Sequence, residues 1–528
     1  MTAEEVRAPN GHQRKRHGGR SANRRRRSTG VKQLPPKTFT NKFPHLEFLS
    51  ADEIESIHEN SLAVIRDIGM RFMHPEAIAI LKKHGAEVVP DTDLVKMDPE
   101  LVLEHVAKAP ASFPLRSRNP RTNLIIGADE ALFCSIGSAP NCSDLDDGRR
   151  PGNFADFKKL VRLTQAFNVL SVVGGYPVEP IDLSPNTRHL RAIQTIIEET
   201  DKPFMLYSLG RARILDGLET TRRGLDITDD DFEDAAYAFT VVNTSSPLRL
   251  DGPMIEGMIE MARRNQPVVI TPFTLSGAMA PATIPGALVM QNAEALASIA
   301  FLQMIRPGAR CIYGSFTSNV DMKSGSPAFG TPEYVKATLA SGQLTRRYKI
   351  PMRTSNACAA NAVDAQAAYE AMFSLWAVLL SGTHLCKHAG GWMEGGLVAS
   401  YEKFVLDAEL IQQFAQIMEP LSLDADGLAL DAIREVGQGG HFFGTEHTIA
   451  RYETAFYSPM ISDWRNFGAW TEGGSPQNAE HCNRVWKEIL ADFEAPPLDP
   501  ARREAMEAYT KKRAEEGGAD SLPRGEYA

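Results

Sequence analysis

A TIM (β/α)8 barrel with helical N-terminal and C-terminal extensions is the fold class this sequence predicts, on three observations. Eight short apolar runs lie between residues 131 and 390, their starts spaced by roughly 30 to 40 residues, about the length of one strand-plus-helix unit. Each gap holds a helical pattern, such as "NFADFKKLVRLTQAF" or "NAEALASIAFLQMI". No GxGxxG follows the first strand of any pair, which removes the usual reason to prefer two doubly wound halves.

Taken in order, residues 1–32 come first as a basic arm. They hold ten Lys or Arg against Glu4 and Glu5, a net of +8 against −9 for the whole chain, which leaves −17 for residues 33–528. "GHQRKRHGGRSANRRRRSTG" has almost nothing apolar to bury, so it is expected to be disordered and dispensable. The acidic remainder argues against a nucleic-acid enzyme, whose phosphate-binding face would be basic. Residues 33–125 read as a helical N-terminal region. "LSADEIESIHENSLAVIRDIGMRF" is a helix capped near Ser50, with Ile54, Ile57, Leu62, Ile65 and Ile68 forming most of one stripe, and "HPEAIAILKKHGAEV" and "DPELVLEHVAKAP" are two more.

Residues 126–400 are the expected barrel, its strands drawn from 131–138, 170–176, 203–209, 238–244, 267–273, 309–315, 350–356 and 383–390. Residues 401–500 follow as a helical C-terminal extension with a Gly-rich insert, and the charged tail 501–528 is expected to fray. Composition, at 43% hydrophobic and 23% charged, is that of a globular protein. No window has the ~18 uncharged apolar residues of a membrane span, and the polar, Arg-rich start has no secretory apolar core. Six cysteines without a CxxC fit reduced thiols, so the expected compartment is the cytoplasm.

Chemistry in such a barrel sits at the C-terminal ends of the strands. The residues there are polar and aromatic: Tyr176 and Glu179, Tyr207, Asn243, Phe273, Tyr313 and Phe316, then His388, Trp392 and Glu394. A barrel would bring these strand ends onto one rim, so the expected substrate site is a cup of Tyr176, Tyr207, Phe273, Tyr313, Phe316 and Trp392, with Glu179 adding charge. Glu394, His388 and Asn243 are the candidate catalytic residues. His384, Cys386 and His388 recur at every second position, one face of a strand, and leave open a zinc-dependent alternative. Asp364 reads as the N-cap of "AQAAYEAMFSLWAVLL".

Stretches such as "SDLDDGRRPGNFADFKKLVRL", "NTSSPLRLD", "IYGSFTSNVDMKSGSPAFGTPE", "DAQAAYEAMFSLWAVLLSGTHL", "GGWMEGG" and "GGHFFGTEHT" make residues 45–475 resemble the trimethylamine methyltransferase family. The resemblance implies a TIM barrel that moves a substrate methyl from nitrogen to the Co(I) corrinoid of a separate carrier protein. The corrinoid (cobalamin) ligand motif DxHxxG is absent here, so the cofactor is expected to arrive on that partner, with no tightly bound cofactor or metal in this chain. The best-known members of the family carry pyrrolysine before the "DAQAAYE" helix. This sequence has only ordinary residues at 353–363, most of them small, which implies a quaternary amine, most simply a betaine such as glycine betaine, in place of trimethylamine. The ammonium of such a substrate would meet the aromatic cup, whose faces attract such a cation without needing a donor, and His388 and Asn243 are available to its carboxylate. No membrane or nucleic-acid partner is expected, and a homo-oligomer is. A non-catalytic protein that senses a quaternary amine is the remaining alternative.

Overall fold

The computed structural model describes residues 31–36 and 39–520, and its centre is an eight-stranded sheet. In chain order the strands are β1 (Phe39–Thr40), β2 (Glu130–Phe133), β3 (Phe204–Tyr207), β4 (Ala238–Asn243), β5 (Val268–Thr271), β6 (Cys311–Gly314), β7 (Met352–Ser355) and β8 (Leu385–Lys387). Their order across the sheet is β1-β2-β8-β7-β6-β5-β4-β3. Only β1 is antiparallel to its neighbour; β2 through β8 pair in parallel. Helices fill the connections between the parallel strands, so the body is mixed α/β.

Seven of the eight predicted runs are strands. The run at 170–176 contributes only isolated parallel bridges, Val172 to Cys134 beside β2 and Val173 to Phe204 of β3, which link the two ends of the parallel series. Its pairing stops at "GG" because the chain must pass close to its neighbour. A Cβ on Gly174 would lie 2.0 Å from the Ser135 carbonyl oxygen, and Gly175 has φ +110°.

Alternation along the strands divides the apolar residues in two. Leu132, Met205, Phe239, Val269, Ile312 and Leu385 meet on the inner face, joined by the hairpin Phe113–Leu115 and Leu124–Ile126. The outward residues pack under the helices as the larger core. One of those helices, Ile284–Ile305, is long and apolar enough to cross a membrane, but it lies buried inside the body with Glu294 fully covered.

The N-terminal region is mixed, not all-helical. Ala51–Ala63 carries the expected cap, a reciprocal Ser50–Glu53 capping box, and Pro75–Lys83 and Pro99–Val106 are helices. Met70–Phe72, Glu87–Val88 and Leu94–Lys96 instead form a small sheet with Arg249–Leu250. Gly69, at φ +83°, ends the first helical stretch, and a side chain there would meet the Val95 carbonyl oxygen at 2.6 Å. Ile68 is consequently exposed instead of completing the apolar stripe. Of the basic arm, residues 1–30 lie outside the described residues, and Val31 is buried.

The tail is a second correction. Pro500–Glu515 is a helix capped by Asp499 with proline at its first turn. It buries Met506 and Thr510, one turn apart, while Tyr509 and Arg513 donate to Asp216 of the helix Arg211–Leu225 at 2.8 and 2.7 Å. Its charge pattern hid a two-residue stripe.

Candidate functional site at the C-terminal ends of the strands

Strand parity decides which side chains reach the mouth. Tyr207 shares the inner face of β3 with Met205, and Asn243 shares that of β4 with Phe239. Tyr313 has the opposite parity to inward Ile312. It is wholly buried against the helix Ile284–Ile305, its hydroxyl donating to Asn292 Oδ1 at 3.1 Å and accepting from Gln291 Nε2 at 3.4 Å. Tyr313 is therefore not on the rim.

Phe273, Phe316 and Trp392 do come together, and Phe329, Tyr334 and His388 join them. Phe316 stacks on Phe273 at 5.1 Å and on Phe329 at 5.3 Å, and Trp392 meets Phe329 edge-on at 5.1 Å. Tyr334 approaches Phe316 edge-on at 6.4 Å. The result is an aromatic wall more than a cup, since most of these rings cover one another. Tyr176 and Tyr207 form a separate pair at 4.4 Å, with no ring contact to the wall among the described residues. The Tyr207 hydroxyl is 2.6 Å from Ser138 Oγ and accepts from the Tyr176 backbone at 3.2 Å. Glu179 sits 3.6 Å from Arg188, with burial raising its pKa, and Asn243 is exposed at the end of β4.

Strand-end reasoning passed over two cations, Arg353 against the wall and Lys387 on the neighbouring strand. Arg353, on the inner face of β7, is 2% exposed, and its guanidinium carbon stands 5.2 Å over the Phe316 ring. Its Nε and Nη1 have no hydrogen-bond partner among the described residues. Lys387, on the inner face of β8, is 3% exposed and donates to Met205 Sδ at 3.0 Å. Burial, then Arg353, brings its pKa down to about 7. No carboxylate is among the groups that act on either side chain. The buried Thr271 Oγ1, on the inner face of β5, is also without a partner among the described residues.

His388 leaves the strand with φ +58°, stacks on Trp392 at 5.1 Å and 10°, and places Nδ1 3.1 Å from Ser355 Oγ. Burial, followed by the charges of Lys387 and Arg353, holds its pKa well below the usual value, so the ring is neutral. That turn breaks the zinc spacing. Cys386 packs outward, His384 Nδ1 accepts from the Met352 backbone at 3.0 Å, and no group of three ligating side chains forms among the described residues. Glu394, at φ +50°, is clasped by Arg149 Nε at 3.1 and 3.2 Å.

The small residues before the helix Ala365–Ser381 are small because they are clamped, not because they face open space. Cys358 and Ala360 are buried against Met393 and Val398. Their carbonyls accept from Gly395 and Glu394, and the backbone N–H groups of Ala359 and Ala360 donate to Glu370. Asp364 caps the helix as expected. For Arg353 and Lys387 the sequence did carry a signal, a basic residue at an inward position of an apolar strand. Phe329, in an irregular Gly-rich loop, carried none.

Residues 16–518 match the family described as Trimethylamine methyltransferase (MTTB). The chain belongs to the trimethylamine methyltransferase family. It is 32% identical over 481 residues to a glycine betaine methyltransferase of Desulfitobacterium hafniense (strain Y51), covering 90% of this chain and 99% of that one. It is 26% identical to the trimethylamine methyltransferase MttB of Desulfitobacterium hafniense (strain DSM 10664 / DCB-2), covering 89% and 94%. Among solved structures, the monomethylamine methyltransferase MtmB of Methanosarcina barkeri is a distant likeness, with 10% identity, a TM-score of 0.42, and 84% and 98% of the two chains covered. In this trimethylamine methyltransferase family member, Arg353 and Lys387 are buried cations near the strand ends on which no carboxylate of the described residues acts.

Proposed function

We propose that this chain transfers a methyl group from a betaine, a quaternary ammonium that also bears a carboxylate, to the corrinoid of a separate carrier protein. The sheet, linked end to end through Val172 and Val173, is read as a (β/α)8 barrel with the site in its mouth. The observation that carries the proposal is the unpaired couple Arg353 and Lys387. Burying a cation without a counter-ion costs several kcal/mol, so the couple suits an anion that arrives with the substrate. Arg353 rests on an aromatic face instead of a carboxylate, which leaves its N–H fork free for a planar carboxylate. Trimethylamine would leave both cations unpaired. The name of the Desulfitobacterium relative points the same way.

The corrinoid would supply the nucleophile that accepts the methyl group, and the residues here orient the substrate. With the carboxylate on Arg353 and Lys387, the ammonium lies against the part-exposed ring of Phe273, with buried Trp392 and Phe316 behind it, its methyl groups toward solvent. Neutral His388 adds no charge to repel it. Leu145, Ile181, Met322 and Leu397, all exposed in segments that leave strand ends, are separate apolar residues available to the carrier.

Calorimetric titration with three ligands tests this: glycine betaine, tetramethylammonium, which lacks the carboxylate, and 3,3-dimethylbutanoate, which lacks the positive charge. Betaine should bind best, and losing the carboxylate should cost about 4–5 kcal/mol, the two charge-assisted hydrogen bonds of the Arg353 fork and the one from Lys387. Equal affinity for tetramethylammonium would refute the assignment.

A further inference from the structure

We propose that residues 417–467 are a self-association surface that seats on a second copy of this chain. Beyond the buried helix Tyr401–Ile417 the chain runs through the short helices Ala425–Leu428, Leu430–Val436, Glu446–Ile449 and Phe467–Glu472. These four helices bury one residue between them, Ala432. Yet the segment is not polar. Of the 23 large hydrophobic residues exposed on the described chain, 13 fall between Ile417 and Phe467, so exposed apolar side chains are concentrated in this one segment. Leu421, Phe443, Tyr452, Phe456, Trp464 and Phe467 are each 72% to 87% exposed.

Summed over their exposures, those 13 residues present about 2,000 Å² of accessible surface, the scale of a permanent interface. A carrier that must arrive and leave in every turnover needs a small, weakly held surface. The mouth offers one, with four separate exposed apolar residues. An apolar surface of the larger size must be covered for the lifetime of the protein, and another copy of the same chain is the partner always present in equal amount. Symmetric association lets the same segment serve as both donor and receiver, which fits a surface without a second patch of comparable size elsewhere among the described residues.

The test is sedimentation velocity on the full-length protein across the micromolar range. The expected species has at least twice the 58.0 kDa chain mass. A Phe443→Asp, Phe456→Asp, Trp464→Ser variant, altered only at positions 75% to 87% exposed, should sediment as a monomer with an unchanged far-ultraviolet circular dichroism spectrum. Hydrogen exchange on the wild-type protein gives a variant-free check: amides of 417–467 should be protected at high concentration and lose that protection on dilution. A wild-type monomer at 100 µM would overturn the proposal. So would an oligomer that the triple variant leaves intact, or a segment protected only once a corrinoid carrier is added.

Discussion

At the scale of single residues, the proposed function rests on two cations, Arg353 and Lys387, on which no carboxylate of the described residues acts. Replacing Arg353 with Met should weaken betaine binding about a hundredfold, two charge-assisted contacts' worth. It should leave the melting temperature level or raised, because an unpaired buried charge is removed; a large fall in both would mean that Arg353 serves the fold instead. Lys387 gives a pH dependence whose sign follows from its depressed pKa. The unfolded chain keeps this proton up to about pH 10.4, whereas the folded protein gives it up near 7. Ligand-free stability should therefore rise with pH between those values. Betaine affinity should run the other way, full below about pH 7 and falling by up to tenfold per unit above it. A Lys387→Met variant titrated in the same calorimeter should show a flat profile. Legibility at this scale turned on parity. Phe273, Phe316, Trp392 and His388 were readable as mouth residues from their place after apolar runs. Tyr313 was misplaced because a single register step sends it into the helix layer, and Arg353 was overlooked because it lies one layer below the strand end.

At the scale of elements, the turns around the site are held by backbone contacts that a sequence pattern does not show. Gly396 sits at φ +100°, and a Cβ there would lie 2.8 Å from the Trp392 ring. Gly396→Ala should displace that indole, shifting its fluorescence and costing about 1–3 kcal/mol of stability by denaturant titration. The helix Pro500–Glu515 gives a second expectation. Met506→Ala should cost about 2–4 kcal/mol, as removal of a fully buried side chain does; a change near zero would restore the fraying tail. Capped helices such as those after Ser50 and Asp364 were legible because a cap is a local chemical event. Short strands such as Met70–Phe72 were not, since their partners lie elsewhere in the sequence, Arg249–Leu250 being one.

At the scale of the whole molecule, the spacing of apolar runs identified seven parallel strands and the helices between them, because each strand-plus-helix unit is a local repeat. It could not foresee that β1 would add to the edge or that Val172 and Val173 would make only bridges, since both depend on long-range approach. Deleting residues 1–30 should leave the melting temperature and methyl transfer unchanged, as a highly charged segment with little apolar surface implies. The measurement that bears most directly on function is methyl transfer to free cob(I)alamin, followed by its absorbance, with glycine betaine and trimethylamine offered separately. Methyl transfer from the betaine, its loss in Arg353→Met, and no transfer from trimethylamine are expected. Transfer from trimethylamine at an equal or higher rate, undiminished by Arg353→Met, would contradict the assignment.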